Sequence, residues 1–423
     1  MINTQHLIIE ATSNPTLLIG SVAILLLTYP FLTLTYNLLL HPLRHIPGPL
    51  LDRASPLPWA IRHALGTSAF HTERLHVRYG AVVRIAPNHL SFTSPRAWRD
   101  IYGSLPRDGS YTSVWPEVSK SKTFTSATDD QEESVIQAGF HEHARLRRAL
   151  APGFTDAALR VQERVFRGYV ERLVGKIGEK CGGGGGGGEK GAVMDVEKWY
   201  NWTTFDIAGE LVFGSAFGCL EKEEYHPMDC VPDGHADGGG GDGVDYLSWG
   251  KVVEHLLRKV FSNGLVLTLG GSETIATTLC GATYLLLDNP ETMKRLSQEV
   301  RGSFNNADEI TVKALSQLPY LTAAINETLR MYPPVTSDLI RVIPPEGKNI
   351  AGHYVTGGTY VEIQQWSINH SPDNWVDPWT FNPDRFLLED DKAREAGNIL
   401  EASQPFSWGP RNCLGRKNGV GYL

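Results

Sequence analysis

Residues 406–415 read FSWGPRNCLG, which sets Phe406, Gly409, Arg411, Cys413 and Gly415 in the spacing FxxGxRxCxG. A cysteine that ligates a metal does so as the thiolate, which cationic neighbours and backbone N–H groups stabilise. Glycines on both sides let the chain turn tightly beneath a flat group. Phe406 can shield the sulfur, and Arg411 can pair with a carboxylate. Together these residues suit thiolate ligation of haem iron, with Arg411 on a propionate. Taken alone, Cys413 reads as a free thiol in a glycine-rich loop. Five identities at fixed spacing arise by chance about once in 10⁴ chains, so the pattern favours the ligand. The other cysteines, Cys181, Cys219, Cys230 and Cys280, are widely spaced, without a CxxC pair or a zinc-type Cys/His cluster. They read as reduced thiols in a reducing compartment.

Three further groups carry chemistry. Residues 270–274 read GGSET. Gly270 and Gly271 permit a local helix distortion of the kind found at functional sites. Glu273 and Thr274 supply a carboxylate and a hydroxyl able to relay protons. Glu327 and Arg330 lie i,i+3 on one helix face. That spacing is weakly specific, because Glu142 and Arg145 share it. His143 and Arg147 lie i,i+4 in HARLRRAL. Taken singly, each of these basic residues reads as part of a solvated helix face.

The elements that position these groups follow from patterning. No charged residue occurs from Ala11 to Leu40, and the Leu-rich core from Leu17 to Leu40 exceeds the roughly 20 residues a bilayer requires. Pro30 would kink the span, which a bilayer tolerates. Glu10 precedes it and Arg44 and Arg53 follow, which places the body in the cytosol. The sequon Asn201-Trp202-Thr203 should then stay unmodified. The next stretch, HPLRHIPGPL, forms a stiff hinge. Residues 80–95 alternate as a hairpin does, and 141–180 read as helical and basic. A long helix runs from about Trp249 through the 270s and breaks at Asn289-Pro290. Others span Glu291 to Phe304 and roughly Leu318 to Met331. Short strands fill 339–365, and the remainder is mostly loop. The glycine run Gly182 to Gly188 and the tract Pro232 to Gly243 read as flexible loops, since neither has phosphate-loop spacing. The formal net charge of −8 disfavours nucleic-acid binding.

The segment around Cys413 resembles the haem-binding loop of the cytochrome P450 family, and other family signatures follow in order. GGSET is similar to [AG]Gx[DE]T on the helix crossing the distal haem face. NETLRMYPP carries ExxR, and NPDRF at 382–386 resembles PxRF. The resemblance implies a buried Glu327–Arg330–Arg385 network behind the cysteine loop. It implies haem b (iron protoporphyrin IX) on Cys413, contacted by Phe406 and held by Arg341, Arg411, Arg147 and His143, the last replacing a family Trp. Segments such as YGAVVRIAPNHLSF and FDIAGELVFGSAFGCLE look like fungal secondary-metabolism members, including trichothecene hydroxylases. The expected fold is α+β and mainly helical, with a small β-rich region, preceded by one N-terminal transmembrane helix. Residues 1–45 form anchor and hinge, and 46–423 the haem-thiolate domain. The expected reaction is insertion of one oxygen atom from O₂ into a lipophilic terpenoid or polyketide. Electrons would come from a separate NADPH-dependent reductase at the endoplasmic reticulum membrane.

The chain departs from the family pattern twice. About fifty residues separate Gly218 from Gly270, and the chain ends ten residues after Cys413. Part of the distal roof and the C-terminal end are therefore expected to be missing, and haem to be weakly held. The alternative expectation is an inactive membrane-tethered remnant; a third is a non-haem membrane scaffold.

Overall fold

The computed structural model describes residue 19 and residues 28–104, 117–121, 134–182, 193–225, 247–336 and 339–416, without the side chains of 247–256. Seven helices matter for the site: α1 (Ser68–Tyr79), α2 (Phe140–Leu150), α3 (Asp156–Gly182), α4 (Val196–Phe213), α5 (Leu247–Asp288), α6 (Pro290–Ser303) and α7 (Pro319–Met331). Proline sets several boundaries. Pro290 and Pro319 open α6 and α7 from the first turn, where a missing N–H costs nothing. The α5 helix has 42 residues and stops at Asp288, one residue before the expected Asn289-Pro290 break. It stays α-helical through Gly270 and Gly271, so the local distortion that these glycines permit is not taken up. Glycine there lowers helix propensity without breaking the hydrogen-bond ladder.

The α4 helix packs between α3 and α5. Tyr169 and Leu173 of α3 meet Trp199, Trp202 and Phe205 of α4 in a buried cluster that includes Leu220. A Cβ on Gly209 would stand 2.6 Å from the Phe217 ring, so the return of the chain over α4 requires glycine. The buried Asp206 carboxylate accepts the Cys219 and Leu220 N–H groups at 2.9 Å each, which anchors that return.

The β-rich region is one sheet of order β1-β2-β7-β4-β3 and a separate β5-β6 hairpin. The expected hairpin is β1 (Val82–Ala86) with β2 (His89–Phe92), antiparallel. The strands β3 (Ser119–Lys120), β4 (Arg341–Val342), β5 (Lys348–Ile350), β6 (His353–Val355) and β7 (Tyr360–Glu362) complete it. Parallel pairing of β2 with β7 joins chain segments about 270 residues apart. Leu90, Phe92, Trp98, Ile101, Val361 and Trp375 form the core beneath this sheet. Both low-complexity tracts lie outside the described residues, except Gly182, which closes α3. The α+β, mainly helical class is as expected.

Most of the expected anchor also lies outside the described residues. Residues 28–40 are helical, with a π-type turn at Tyr36–Leu40, and expose Tyr29, Phe31, Leu32, Leu39 and Leu40. Among the described residues, the one helix long and apolar enough to cross a membrane is Leu257–Asp288 of α5, which packs against α4, α6 and α7 and leaves Leu257, Val260, Phe261, Tyr284 and Leu287 exposed. The sequon lies within α4, where Thr203 is buried and donates to Trp199 O at 2.7 Å. Lack of glycan at Asn201 is therefore no guide to topology.

Candidate functional site

The loop before Cys413 folds on itself. The Ser407 N–H donates to Gln404 O at 2.8 Å, and the Cys413 N–H donates to Phe406 O at 2.9 Å. The turn takes positive φ at Ser407 (60°) and Gly409 (76°). A Cβ on Gly409 would lie 2.0 Å from Tyr102 O, so only glycine permits this approach. From α2, Arg147 donates to Asn412 O at 2.6 Å and to Asn412 Oδ1 at 2.5 Å. That fork holds the residue preceding the cysteine. Burial pushes the Cys413 thiol pKa up, while the Gly415 N–H and the Arg147 charge oppose the shift. A cysteine that ligates a metal does so as the thiolate, so binding releases the thiol proton.

Two of the chemistry-bearing motifs line one cavity of about 680 Å³. The cysteine loop contributes Phe406, Cys413 and Gly415; α5 contributes Gly270, Gly271 and Thr274. Its remaining walls are largely apolar, with Phe166, Leu173, Ile207, Leu211, Leu267 and Ile275 among them. The Thr274 hydroxyl donates to Gly270 O at 2.8 Å. Glu273 is exposed and does not line the cavity, so any proton it moves must travel through water.

The expected cofactor-binding cations do not line this cavity. Arg411 and Arg341 gather around Glu117, and His143 lies within reach of the charges of Arg411, Arg147 and Arg341. Arg411 Nε donates to Glu117 Oε1 at 2.7 Å and its Nη1 to Ala138 O at 2.8 Å. Arg341 is buried on β4 with its guanidinium 5.0 Å from the Tyr102 ring centroid. His143 is buried on α2, and its pKa falls to about 4, first through burial and then through the charges of Arg411, Arg147, Lys120 and Arg341. The sequence reading missed Lys120 and Glu117. Lys120 stands directly across from Arg341 in the β3–β4 pair and donates to Ile136 O at 2.6 Å. No periodicity marks a lysine in a two-residue strand; only its pairing with Arg341 brings it here.

Like charges placed opposite each other in a sheet are destabilising. Gathering several cations beside one acid among the described residues suits an added negative charge. A flat dicarboxylate whose metal takes a thiolate meets both needs, so the residues present fit haem. Its carboxylates would meet the cationic cluster, and Cys413 would hold the iron.

Behind the loop, Glu327 and Arg330 are fully buried and bonded at 2.7 and 2.8 Å. Arg385 Nε donates to Glu327 Oε1 at 3.3 Å, and the Asn382 N–H donates to the same oxygen at 2.9 Å. Arg330 also caps the carbonyls of Asn369 (2.7 Å) and Pro378 (2.8 Å), while Arg385 bonds Asn398 Oδ1 at 2.6 Å and the Val376 carbonyl. The expected triad is thus formed. It ties α7 to the segment leading into the cysteine loop.

Comparison with known proteins agrees with this geometry. The Cytochrome P450 family model matches residues 257–417, from α5 through the cysteine loop. The chain is 38% identical over 441 residues to cytochrome P450 monooxygenase tpeC of Talaromyces stipitatus, covering 93% of this chain and 84% of that protein. It is 34% identical over 469 residues to cytochrome P450 monooxygenase lcsI of Purpureocillium lilacinum, covering 98% and 88%. To the averantin hydroxylase of Dothistroma septosporum it is 35% identical over 441 residues, covering 93% and 80%. The chain belongs to the cytochrome P450 monooxygenases, a family whose members hold haem and draw electrons from a reductase.

Proposed function

We propose that this chain inserts one oxygen atom from O₂ into a lipophilic terpenoid or polyketide, with haem b held on Cys413. The carrying observation is that Cys413 and the GGSET segment line the same cavity. When bound, haem supplies the oxygen-activating redox chemistry. The protein's own part is binding and proton control. Apolar side chains such as Phe166, Ile207 and Ile275 favour an apolar substrate and exclude water from the cavity. Thr274 holds a hydroxyl proton at the cavity wall, parked on Gly270 O. The averantin hydroxylase among the relatives supports hydroxylation as the outcome. Incubation with NADPH, a fungal reductase and ¹⁸O₂ against a terpenoid and polyketide panel tests this. One ¹⁸O atom in the product is expected; an oxygenated product without label, its oxygen taken from water, would refute it.

Thr274→Ala should leave NADPH oxidation running while product per NADPH falls roughly tenfold or more, with peroxide released. Undiminished coupling would remove Thr274 from proton delivery. Glu273→Gln should matter less, because its carboxylate is exposed.

The Leu-rich segment Leu17 to Leu40, followed by Arg44 and Arg53, supports a single crossing of the endoplasmic reticulum membrane with the body in the cytosol. Protease added to sealed microsomes should digest the chain beyond about residue 45. A protected body would reverse this orientation.

A further inference from the structure

We propose that a second cavity, beside the end of the Leu-rich segment, binds the hydroxyl head of a neutral membrane lipid, a sterol or a diacylglycerol, between Asp52 and His71. It has about 400 Å³ and lies between α1 and the short helices Leu50–Ala54 and Leu57–Ala64, apart from the cavity at Cys413. Asp52 is only 1% exposed. Arg62 donates to its Oδ1 at 2.6 Å. Its Oδ2 has no hydrogen-bond partner among the described residues, and neither has Nε2 of His71 on α1. These two atoms stand 3.9 Å apart, too far for a direct bond but spanned by one oxygen at about 2.8 Å from each.

The charges select what bridges the gap. A cation would face Arg62, and an anion would face Asp52. A neutral hydroxyl suits both sides, since it donates to Asp52 Oδ2 and accepts from the His71 Nε2–H. Burial first, then Arg62, lower the His71 pKa against the pull of Asp52, which leaves the imidazole neutral near pH 7. A single water fills only about 30 Å³, a small part of this cavity. Much of the remaining wall is apolar, from Pro49, Leu50, Leu51 and Pro58. Leu50 and Leu51 are 69% and 74% exposed, and Leu57, Ile61 and Leu65 extend the apolar surface. This surface continues from the Leu-rich segment. The helix Leu50–Ala54 packs on the Tyr36–Leu40 turn, where Asn37 Nδ2 donates to Ala54 O at 2.8 Å. The supply of lipid rests on the membrane crossing proposed above; the polar pair does not.

The test uses the full chain in detergent micelles, with cholestanol, cholestanone and dioctanoylglycerol each competing against a fluorescent sterol. The cholestanone carbonyl accepts a hydrogen bond but has none to donate. It should bind wild type roughly three- to tenfold more weakly than cholestanol does. In Asp52→Asn, Arg62 keeps the amide oxygen and the amide nitrogen faces the ligand, so alcohol and ketone should bind alike. In His71→Phe both should weaken together while their ratio stays as in wild type. Thermal melts verify that the variants fold. A diazirine-bearing cholestanol should crosslink to the cavity wall between Pro49 and Tyr79. Stronger competition by dioctanoylglycerol than by cholestanol would support the same site with a glyceride as its lipid. Equal affinities of alcohol and ketone for wild type, or crosslinks confined to α3, α4 and α5, would overturn the inference, the gap then holding water only. A protease-protected body in microsomes, with the alcohol preference intact, would reverse the membrane orientation and leave this site standing.

Discussion

Cys413→Ala should abolish the thiolate-type absorption band of the reduced, CO-treated protein, with complete loss of NADPH-dependent oxygenation. Among the described residues, no other cysteine lines the cavity to replace the ligand. The other described cysteines are Cys181 at the end of α3, Cys219 buried behind α4, and Cys280 on α5, and none of them lines the cavity. Alanine should leave the loop itself standing. Apart from the Gly415 N–H that meets the sulfur, its hydrogen bonds run through the Cys413 N–H, the Phe406 carbonyl and the Arg147–Asn412 fork. The thermal melt of the haem-free protein should therefore be nearly unchanged. Cys181→Ala is the matched control, since Cys181 is exposed on the surface. A retained thiolate-type band in Cys413→Ala would remove Cys413 as the iron ligand.

Glu327→Ala should be the most destabilising single change. It would leave Arg330 and Arg385 buried without their shared carboxylate, along with an orphaned N–H at Asn382. Removing one partner from a buried ion pair costs about 3–5 kcal/mol, a large share of the roughly 5–15 kcal/mol that holds a folded chain together. The melting temperature should fall by roughly 3–6 °C for a protein of this size, and haem retention with it. Glu142→Ala removes the other ExxR pair. There, Arg145 is more than half exposed and Glu142 also meets Lys259 at the surface. Such pairs are worth about 0–1 kcal/mol, so little change is expected. Equal losses in the two variants would show that burial does not distinguish these pairs.

The contrast between those two pairs shows where sequence information ends. Both have the same residue types at the same spacing, and helical geometry alone predicts that each pair meets. Both do meet. Whether a pair is structural depends on what lies over it. Asn369, Pro378, Asn382 and Arg385 cover Glu327 and Arg330, and they come from more than thirty residues downstream. Only the resemblance to a known family anticipated that cover.

Local elements were legible because their causes are local. Proline at the first turn of α6 and α7 and glycine at the tight turn beside Cys413 act within a few residues, whereas β1 and β2 form the expected hairpin with every residue buried rather than alternating. The cysteine loop was legible for the same reason, since its whole pattern spans ten residues. GGSET was legible as a motif, but its geometry was not: glycine permits a distortion without requiring one, and α5 runs on unbroken.

By itself, then, the amino-acid order determined α5, α6, α7 and the β1–β2 hairpin, the thiol offered as a metal ligand, and most of the cations able to meet a carboxylate. The tertiary structure decided the rest. It placed Thr274 on the cavity wall and left Glu273 in solvent, although the two are adjacent in the chain. It also brought Lys120 opposite Arg341, some 220 residues away, through a two-residue strand pair that no periodicity announces. The physical reason is range. Backbone preference and side-chain spacing act over a few residues, whereas burial, cavity walls and the crowding of like charges arise only when distant segments pack together.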